Sequence, residues 1–163
     1  VVQQAINGIS AMASDKDIII QVDILPEDFY VTADLHKFME ILYNILSNAV
    51  KFTREHGRVD VLVEKKTSTF EVTVKDTGIG IALEDQERVF LEFEQVDSSY
   101  ARQYEGTGLG LPIVKKLVEL HGGNVRLRSQ FGVGTEMFFM MPLDVEAYLN
   151  RRGQKEERLW AKS

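Results

Sequence analysis

The chain has no cysteine, so neither a disulfide framework nor a thiolate metal centre is open to it. It also lacks a long hydrophobic run. Its longest apolar stretches are strand-sized, and no segment is expected to span or directly contact a membrane. No secretory signal pattern opens it. Neither does a methionine: the chain starts at Val1, as a fragment of a longer protein would. Positive charge is in short supply, with 19 Lys and Arg against 25 Asp and Glu and a formal net charge of −6. Nucleic acid is therefore not expected as a partner, because a phosphate backbone demands clustered Lys and Arg. A chain of this charge that binds a smaller polyanion has to gather its positive groups locally. Internal repeats and low-complexity tracts are absent too.

What is present describes one globular domain with a proper core: 163 residues, 44% hydrophobic and 27% charged. Residues 1–14 carry Val2, Ile6, Ile9 and Ala13 at helical spacing. Ile18–Ile24 reads as a strand stopped by Pro26, and Phe29–Thr32 as a second, short strand. Asp34 reads as the N-cap of a long helix to about Phe52, with Phe38, Ile41, Leu42, Ile45 and Leu46 on one stripe. Val59–Val63 and Phe70–Val74 alternate as a hairpin around Lys66–Ser68. Leu83–Phe90 reads as a short helix, and residues 95–107 as a long aperiodic loop of the kind that forms lids. A helix with Pro112 in its first turn ends at His121-Gly-Gly123, followed by a second hairpin, Asn124–Ser129 with Glu136–Leu143. The tail from Asp144 reads as one helix ended by Arg151-Arg-Gly153. This order predicts an α+β fold, a two-layer sandwich with helices bearing on one face of a sheet.

Three features carry chemistry. Gly106, Gly108 and Gly110 alternate and run straight into a helix. Glycines let the backbone approach a ligand, and a helix N-terminus offers free N–H groups and partial positive charge, so the stretch reads as a phosphate cradle. Alone, it fits a flexible linker equally well. Asn44 and Asn48 lie four apart on the long helix, with Lys51 near the same face. They border an apolar stripe, where an unpartnered amide is unfavourable, and an amide oxygen suits a hard cation such as Mg²⁺. Ordinary solvent-facing amides are the plainer account of them. Asp76 ends an alternating strand just before Thr-Gly-Ile-Gly80, either as a turn former or as an acceptor for an exocyclic amine such as that of adenine.

Together, Asn44-Ile-Leu-Ser-Asn48-Ala-Val-Lys-Phe-Thr53, Asp76-Thr-Gly-Ile-Gly80, Phe90-Leu-Glu-Phe93, Gly106-Thr-Gly-Leu-Gly110 and Gly132-Val-Gly134-Thr135 form an ordered series. The series resembles the N, G1, F, G2 and G3 boxes of the catalytic, ATP-binding domain of sensor histidine kinases. The resemblance covers roughly residues 1–143, and Asp97-Ser-Ser-Tyr-Ala-Arg-Gln-Tyr104 is similar to the family's lids. It implies a two-layer α/β sandwich with a mixed sheet of about five strands, three helices on one face and an ATP lid over 95–105. It also implies ATP and Mg²⁺ as cofactors. By position, Asn48 is the expected Mg²⁺ ligand, Asn44 a phosphate or Mg-water contact and Lys51 a phosphate contact, with Phe52 packed by the nucleotide. Asp76 is expected to bind the adenine amine, helped by Gly78, Gly80, Ile81 and, through water, Thr135. Thr107, Gly108, Leu109, Gly110 and Leu111 would line the phosphates, and Arg102 would reach the γ-phosphate, making Asn44, Lys51 and Arg102 the catalytic set. Two positions depart from the pattern: Glu92 where Pro is frequent, and Glu105 where Gly is frequent.

Related ATPases of this fold carry a Glu four residues before the metal-binding Asn, where this chain has Asn44. An amide cannot take the proton of an attacking water, so transfer to an external acceptor is expected rather than hydrolysis. The family's acceptor is a His, usually followed by an acidic residue, on a helical hairpin ahead of the domain; His36-Lys37, His56-Gly57 and His121-Gly122 do not fit it. The expectation is a protein histidine kinase catalytic domain. Residues 1–14 would enter from a missing dimerisation and phosphoacceptor segment, 15–145 would form the ATP-binding domain and 146–163 a charged tail. Expected partners are that segment and a response regulator, in a homodimeric parent that is cytoplasmic or has this as the cytoplasmic part of a membrane-anchored sensor. An anti-sigma-type serine kinase and a non-catalytic nucleotide-binding module on the same fold are the alternatives.

Overall fold

A computed structural model describes residues 1–91 and 110–160. Five strands, β1 (Ile19–Leu25), β2 (Arg58–Lys65), β3 (Thr69–Asp76), β4 (Asn124–Gln130) and β5 (Gly134–Pro142), form one sheet in the order β1-β2-β3-β5-β4. β1 runs parallel to β2, with Ile19 opposite Arg58, and every other pair is antiparallel. A parallel pair cannot be joined by a tight turn, and the crossover here holds helix α2 (Leu35–Phe52). The sheet is therefore mixed, as the resemblance implied.

Register places Val61 beside Val74 and Val72 beside Phe139, so alternate side chains of the central strands share one face. Helices α1 (Val2–Ser14), α2 and α3 (Gly110–Leu120) bury their apolar stripes in the same cluster, with Ile9, Ile41, Leu46 and Val114 fully enclosed. Phe70 stands edge-on to Phe38 and Phe139, at ring-centroid distances of 5.6 and 6.4 Å. Asp60, Glu71, Lys75 and Arg126 alternate with the core residues and so belong to the opposite, polar face. Among the described residues no helix is long and apolar enough to cross a membrane.

Both ends of α2 are tied. Asp34 accepts the Lys37 N–H at 3.1 Å as its N-cap. At the other end the Lys16 ammonium donates to the carbonyls of Val50, Lys51 and Thr53 at 3.1, 2.7 and 2.9 Å. A cation is well placed there, where the last carbonyls lack intrahelical partners and the dipole is negative. The turn that presents Lys51 and Phe52 is thus pinned to the segment that follows α1. Lys16→Met keeps the aliphatic stem but loses these charge-assisted bonds. It is expected to lower unfolding free energy by about 2 kcal/mol, read from denaturant titration.

Several elements differ from expectation. Phe29–Thr32 is not a strand: Phe29 and Val31 lean on the core and Tyr30 is 96% exposed, but the segment's backbone makes only a single parallel bridge, Thr32 to Asp144. It ties down the chain after β5 instead, through Thr32 N–H to Leu143 at 2.8 Å and Val145 N–H to Thr32 at 2.9 Å. Leu83–Phe90 forms two 3₁₀ turns, Leu83–Asp85 and Arg88–Phe90, neither with a buried residue to anchor a full helix. In α3, by contrast, Pro112 sits in the first described turn as expected, where a missing N–H loses no bond. A fourth helix, α4 (Val145–Trp160), runs through Gly153. Asp144 caps it by accepting the Ala147 N–H at 2.9 Å, and one interior glycine costs about 1 kcal/mol, too little to end a helix. The second Phe of the F box, the expected lid and the first two glycines of the cradle lie outside the described residues.

Candidate functional site

Three strands end together at one corner of the core face. In register across them stand Asp76 on β3, Thr135 on β5 and Ser129 on β4. Asp76 is 9% exposed, and its Oδ1 accepts the Gly78 N–H at 2.8 Å and the Thr135 N–H at 3.2 Å. Burial pushes its carboxyl pKa up, against the lowering effect of those two bonds. Oδ2 makes no hydrogen bond with any described residue, and no fully buried side-chain polar atom among them lacks a partner. Oδ2 therefore keeps access to solvent, and to a ligand.

Glycines let the loops close on this corner. Gly80 has φ +66°, and a Cβ there would run into the Gln130 carbonyl. Gly134 has φ +146°, and a Cβ would meet the Asp76 carbonyl. The loop after β3 is fastened on two sides, by Ile79 N–H to Phe52 at 3.1 Å and by Gly132 N–H to Ile79 at 2.7 Å. It thereby joins the C-terminal end of α2 to the β4–β5 turn, bringing Phe52, Asp76, Gly78, Gly80, Ile81 and Thr135 into one connected group.

A second group lies where α2 meets α3. Asn44 Nδ2 donates to the Glu40 carbonyl at 2.8 Å, which leaves its Oδ1 for other partners. A Cβ built on Gly110 would stand 3.1 Å from that Oδ1 and 3.6 Å from Asn48 Nδ2, so both amides border the first turn of α3. Asn48 is half-buried, yet its amide bonds to no described residue. Lys51 lies one turn on, its ammonium 5.3 Å from the Phe52 ring centroid, and Leu111 packs half-buried against the core. Arg102, Thr107, Gly108 and Leu109 lie outside the described residues.

The donor set fits Mg²⁺ in kind. Amide oxygens are hard ligands, and this cation takes few protein groups beside phosphates and water. Among the described residues no three His, Cys, Asp or Glu side chains gather into a cluster that could hold a metal. Asn48, with Asn44 beside it, is the candidate, next to a helix N-terminus whose free N–H groups favour anions. Glu40, the nearest carboxylate on the helix, pairs with Lys37 at 3.4 Å on the exposed side.

Sequence reasoning missed Ser129 and Gln86. Ser129 Oγ accepts the Ile81 N–H at 2.7 Å, donates to the Gly134 carbonyl at 3.0 Å and meets Thr135 Oγ1 at 2.8 Å. Gln86 Nε2 donates to the Ser129 and Ile81 carbonyls at 2.8 and 3.2 Å. The signal for Ser129 was the pairing of β4 with β5, which puts it opposite Thr135. Nothing local marks Gln86.

The family model for histidine kinase-, DNA gyrase B- and HSP90-like ATPases matches residues 33–145, more than half of the chain. A sensor-like histidine kinase of Rhizobium meliloti is 38% identical over 144 residues, covering 88% of this chain and 27% of that protein. The chain spans about a quarter of the length of that curated relative, and less of others. The catalytic domain of the histidine kinase ThkA, in a nucleotide-free form, aligns with a TM-score of 0.77 at 25% identity over 88% of this chain and 92% of that one. Full-length ShkA in complex with AMPPNP aligns with a TM-score of 0.76 at 33% identity over 86% of this chain and 29% of that one. A mixed sheet with helices on one face, glycine loops closing on a buried Asp, and a match over most of the chain agree: this chain belongs to the family of histidine kinase-, DNA gyrase B- and HSP90-like ATPases.

Proposed function

We propose that the chain is the ATP-binding catalytic domain of a two-component sensor histidine kinase. It would transfer the γ-phosphate of Mg–ATP to a histidine on a separate dimerisation domain, for relay to a response regulator. The sensor-like histidine kinase of Rhizobium meliloti and the AMPPNP-bound ShkA support the class. In this reading Asp76 takes the adenine amine through Oδ2, Asn48 and Asn44 hold Mg²⁺ and its water, and Lys51 and the first turn of α3 take the phosphates. Bound Mg²⁺ would offset the charge of the polyphosphate. Residues 1–14 would lead in from the dimerisation segment, residues 146–163 would form a charged tail, and the parent would be a homodimer with this part in the cytoplasm.

One observation carries the choice of transfer over hydrolysis. The α2 position that faces the site is Asn44, an amide committed to the Glu40 carbonyl, while the Glu40 carboxylate is drawn to Lys37 one turn back. No described group there can take a proton from water, so the attacking nucleophile has to come from elsewhere. Of the chain's three histidines, His121 is poorly suited to that role, being 9% exposed with Nδ1 2.6 Å from the Leu117 carbonyl. Incubation with γ-labelled ATP, Mg²⁺ and a separate helical-hairpin phosphoacceptor domain tests the reading. Acid-labile, alkali-stable phosphate on the acceptor is expected. Phosphate on serine, or free phosphate alone, would overturn it.

A further inference from the structure

The Ser129 hydroxyl touches three groups, and its valence decides how each contact runs. A serine hydroxyl has one proton and two lone pairs. The Ile81 N–H, at 2.7 Å, can only donate, so it takes one lone pair. The Gly134 carbonyl, at 3.0 Å, can only accept, so it takes the proton. Only a lone pair is left for Thr135 Oγ1 at 2.8 Å, which makes Thr135 the donor. The reverse assignment would leave the Ser129 and Gly134 oxygens 3.0 Å apart with no proton between them. Thr135 therefore has its only side-chain proton turned along the sheet towards Ser129. With its remaining lone pairs and Asp76 Oδ2, the Thr135 and Asp76 side chains accept hydrogen bonds here and offer none.

We propose that Ser129 is a positioning residue that fixes Thr135 as an acceptor, so that the corner selects an amino-purine over an oxo-purine. The proposal rests on the reading of Asp76 as the adenine contact. An exocyclic amine offers hydrogens to this corner, directly or through water, whereas an oxo group brings lone pairs against lone pairs. Without the Ser129 hydroxyl, the Thr135 proton is released and can turn outward to meet an oxo group. Gln86, bonded to the Ser129 and Ile81 carbonyls, keeps the donor and acceptors of this relay in place.

The test compares binding of Mg–ATP with that of Mg–inosine triphosphate, which carries an oxo group in place of the amine, to the full chain by calorimetry. Wild type should favour ATP. Ser129→Ala should lower the ratio of the two affinities about three- to tenfold, and Ser129→Thr should restore it. In a Thr135→Val background Ser129→Ala should have no further effect on the ratio, because it acts through Thr135. A merely structural role weakens both nucleotides alike; an unchanged ratio, or an additive effect in the Thr135→Val background, overturns the proposal. Thermal denaturation runs alongside, since Ala leaves the Ile81 amide without its acceptor. Should that variant unfold, Ser129→Cys, a weak hydrogen-bonding group, is read for the same drop in ratio. A wild type that binds neither nucleotide, or both alike, sinks the adenine assignment itself. A wild type that discriminates while the Ser129 variants keep its ratio sinks the role of Ser129 alone.

Discussion

Replacing Asn48 with Ala is expected to lower Mg²⁺-dependent phosphoryl transfer at least about a hundredfold, the effect of losing one group that meets transition-state charge, with the fold unharmed. The two halves of that expectation come from the same observation. The Asn48 amide is half-buried beside the first turn of α3 but bonds to no described residue, so the described residues make little use of it. Alanine is the better helix former by about half a kcal/mol, so the melting temperature should hold or rise. Most structural replacements lose stability and activity together; this one should separate them. Asn44→Ala is a useful contrast, since the Asn44 amide already bonds the Glu40 carbonyl at 2.8 Å. Rate measured with and without Mg²⁺, next to thermal denaturation, decides the matter. A variant that transfers phosphate at the wild-type rate would remove Asn48 from the metal site, and a variant that melts early would make it a structural residue.

What the sequence made legible, and what it hid, divides along physical lines. Helix α2 was readable nearly to the residue because its signals are local: Asp34 caps it, and one apolar stripe runs its length. The direction of β1 was not, since a strand's alternation is the same whichever way its neighbour runs, and only the crossover through α2 makes the pair parallel. Leu83–Phe90 has helix-forming residues but no fully buried one, only Phe90 resting partly buried on the core, and it forms two short turns. Gly153 reads as a stop yet is only a weak penalty inside a capped helix. In the candidate site, residues whose identity is unusual for their position, the paired asparagines and Asp76 before its glycines, could be picked out one by one. Ser129 is an ordinary strand serine until β4 is laid against β5, and its part comes from three partners in three different segments.

Asp76→Asn should weaken Mg–ATP binding about ten- to a hundredfold or more and, at neutral pH, leave the chain at least as stable as wild type. Asparagine keeps an oxygen where Oδ1 accepts the Gly78 and Thr135 amides, so the two loops stay joined. It puts an NH₂ where Oδ2 was, and a donor then faces the donor of an adenine amine. Losing a hydrogen bond to a charged group is worth about 1.5–3 kcal/mol, and each 1.4 kcal/mol is tenfold in affinity. The stability half follows from burial. Asp76's pKa is raised above its ordinary 3.8 because desolvation outweighs the two amide bonds. A carboxyl raised in the folded state contributes its stability in full below the unfolded value and loses it as pH climbs through the folded one. Wild type therefore carries a penalty at about pH 7 that it lacks at about pH 3, and asparagine, which does not ionise, carries it at neither. The difference in melting temperature between variant and wild type should widen in the variant's favour as pH rises across that range. Adding Mg–ATP should reverse the order at neutral pH, because ligand binding stabilises only the chain that binds it. Full ATP affinity in the variant would detach Asp76 from the base, and a melting temperature below wild type at neutral pH would mean the carboxylate charge holds the loops after all.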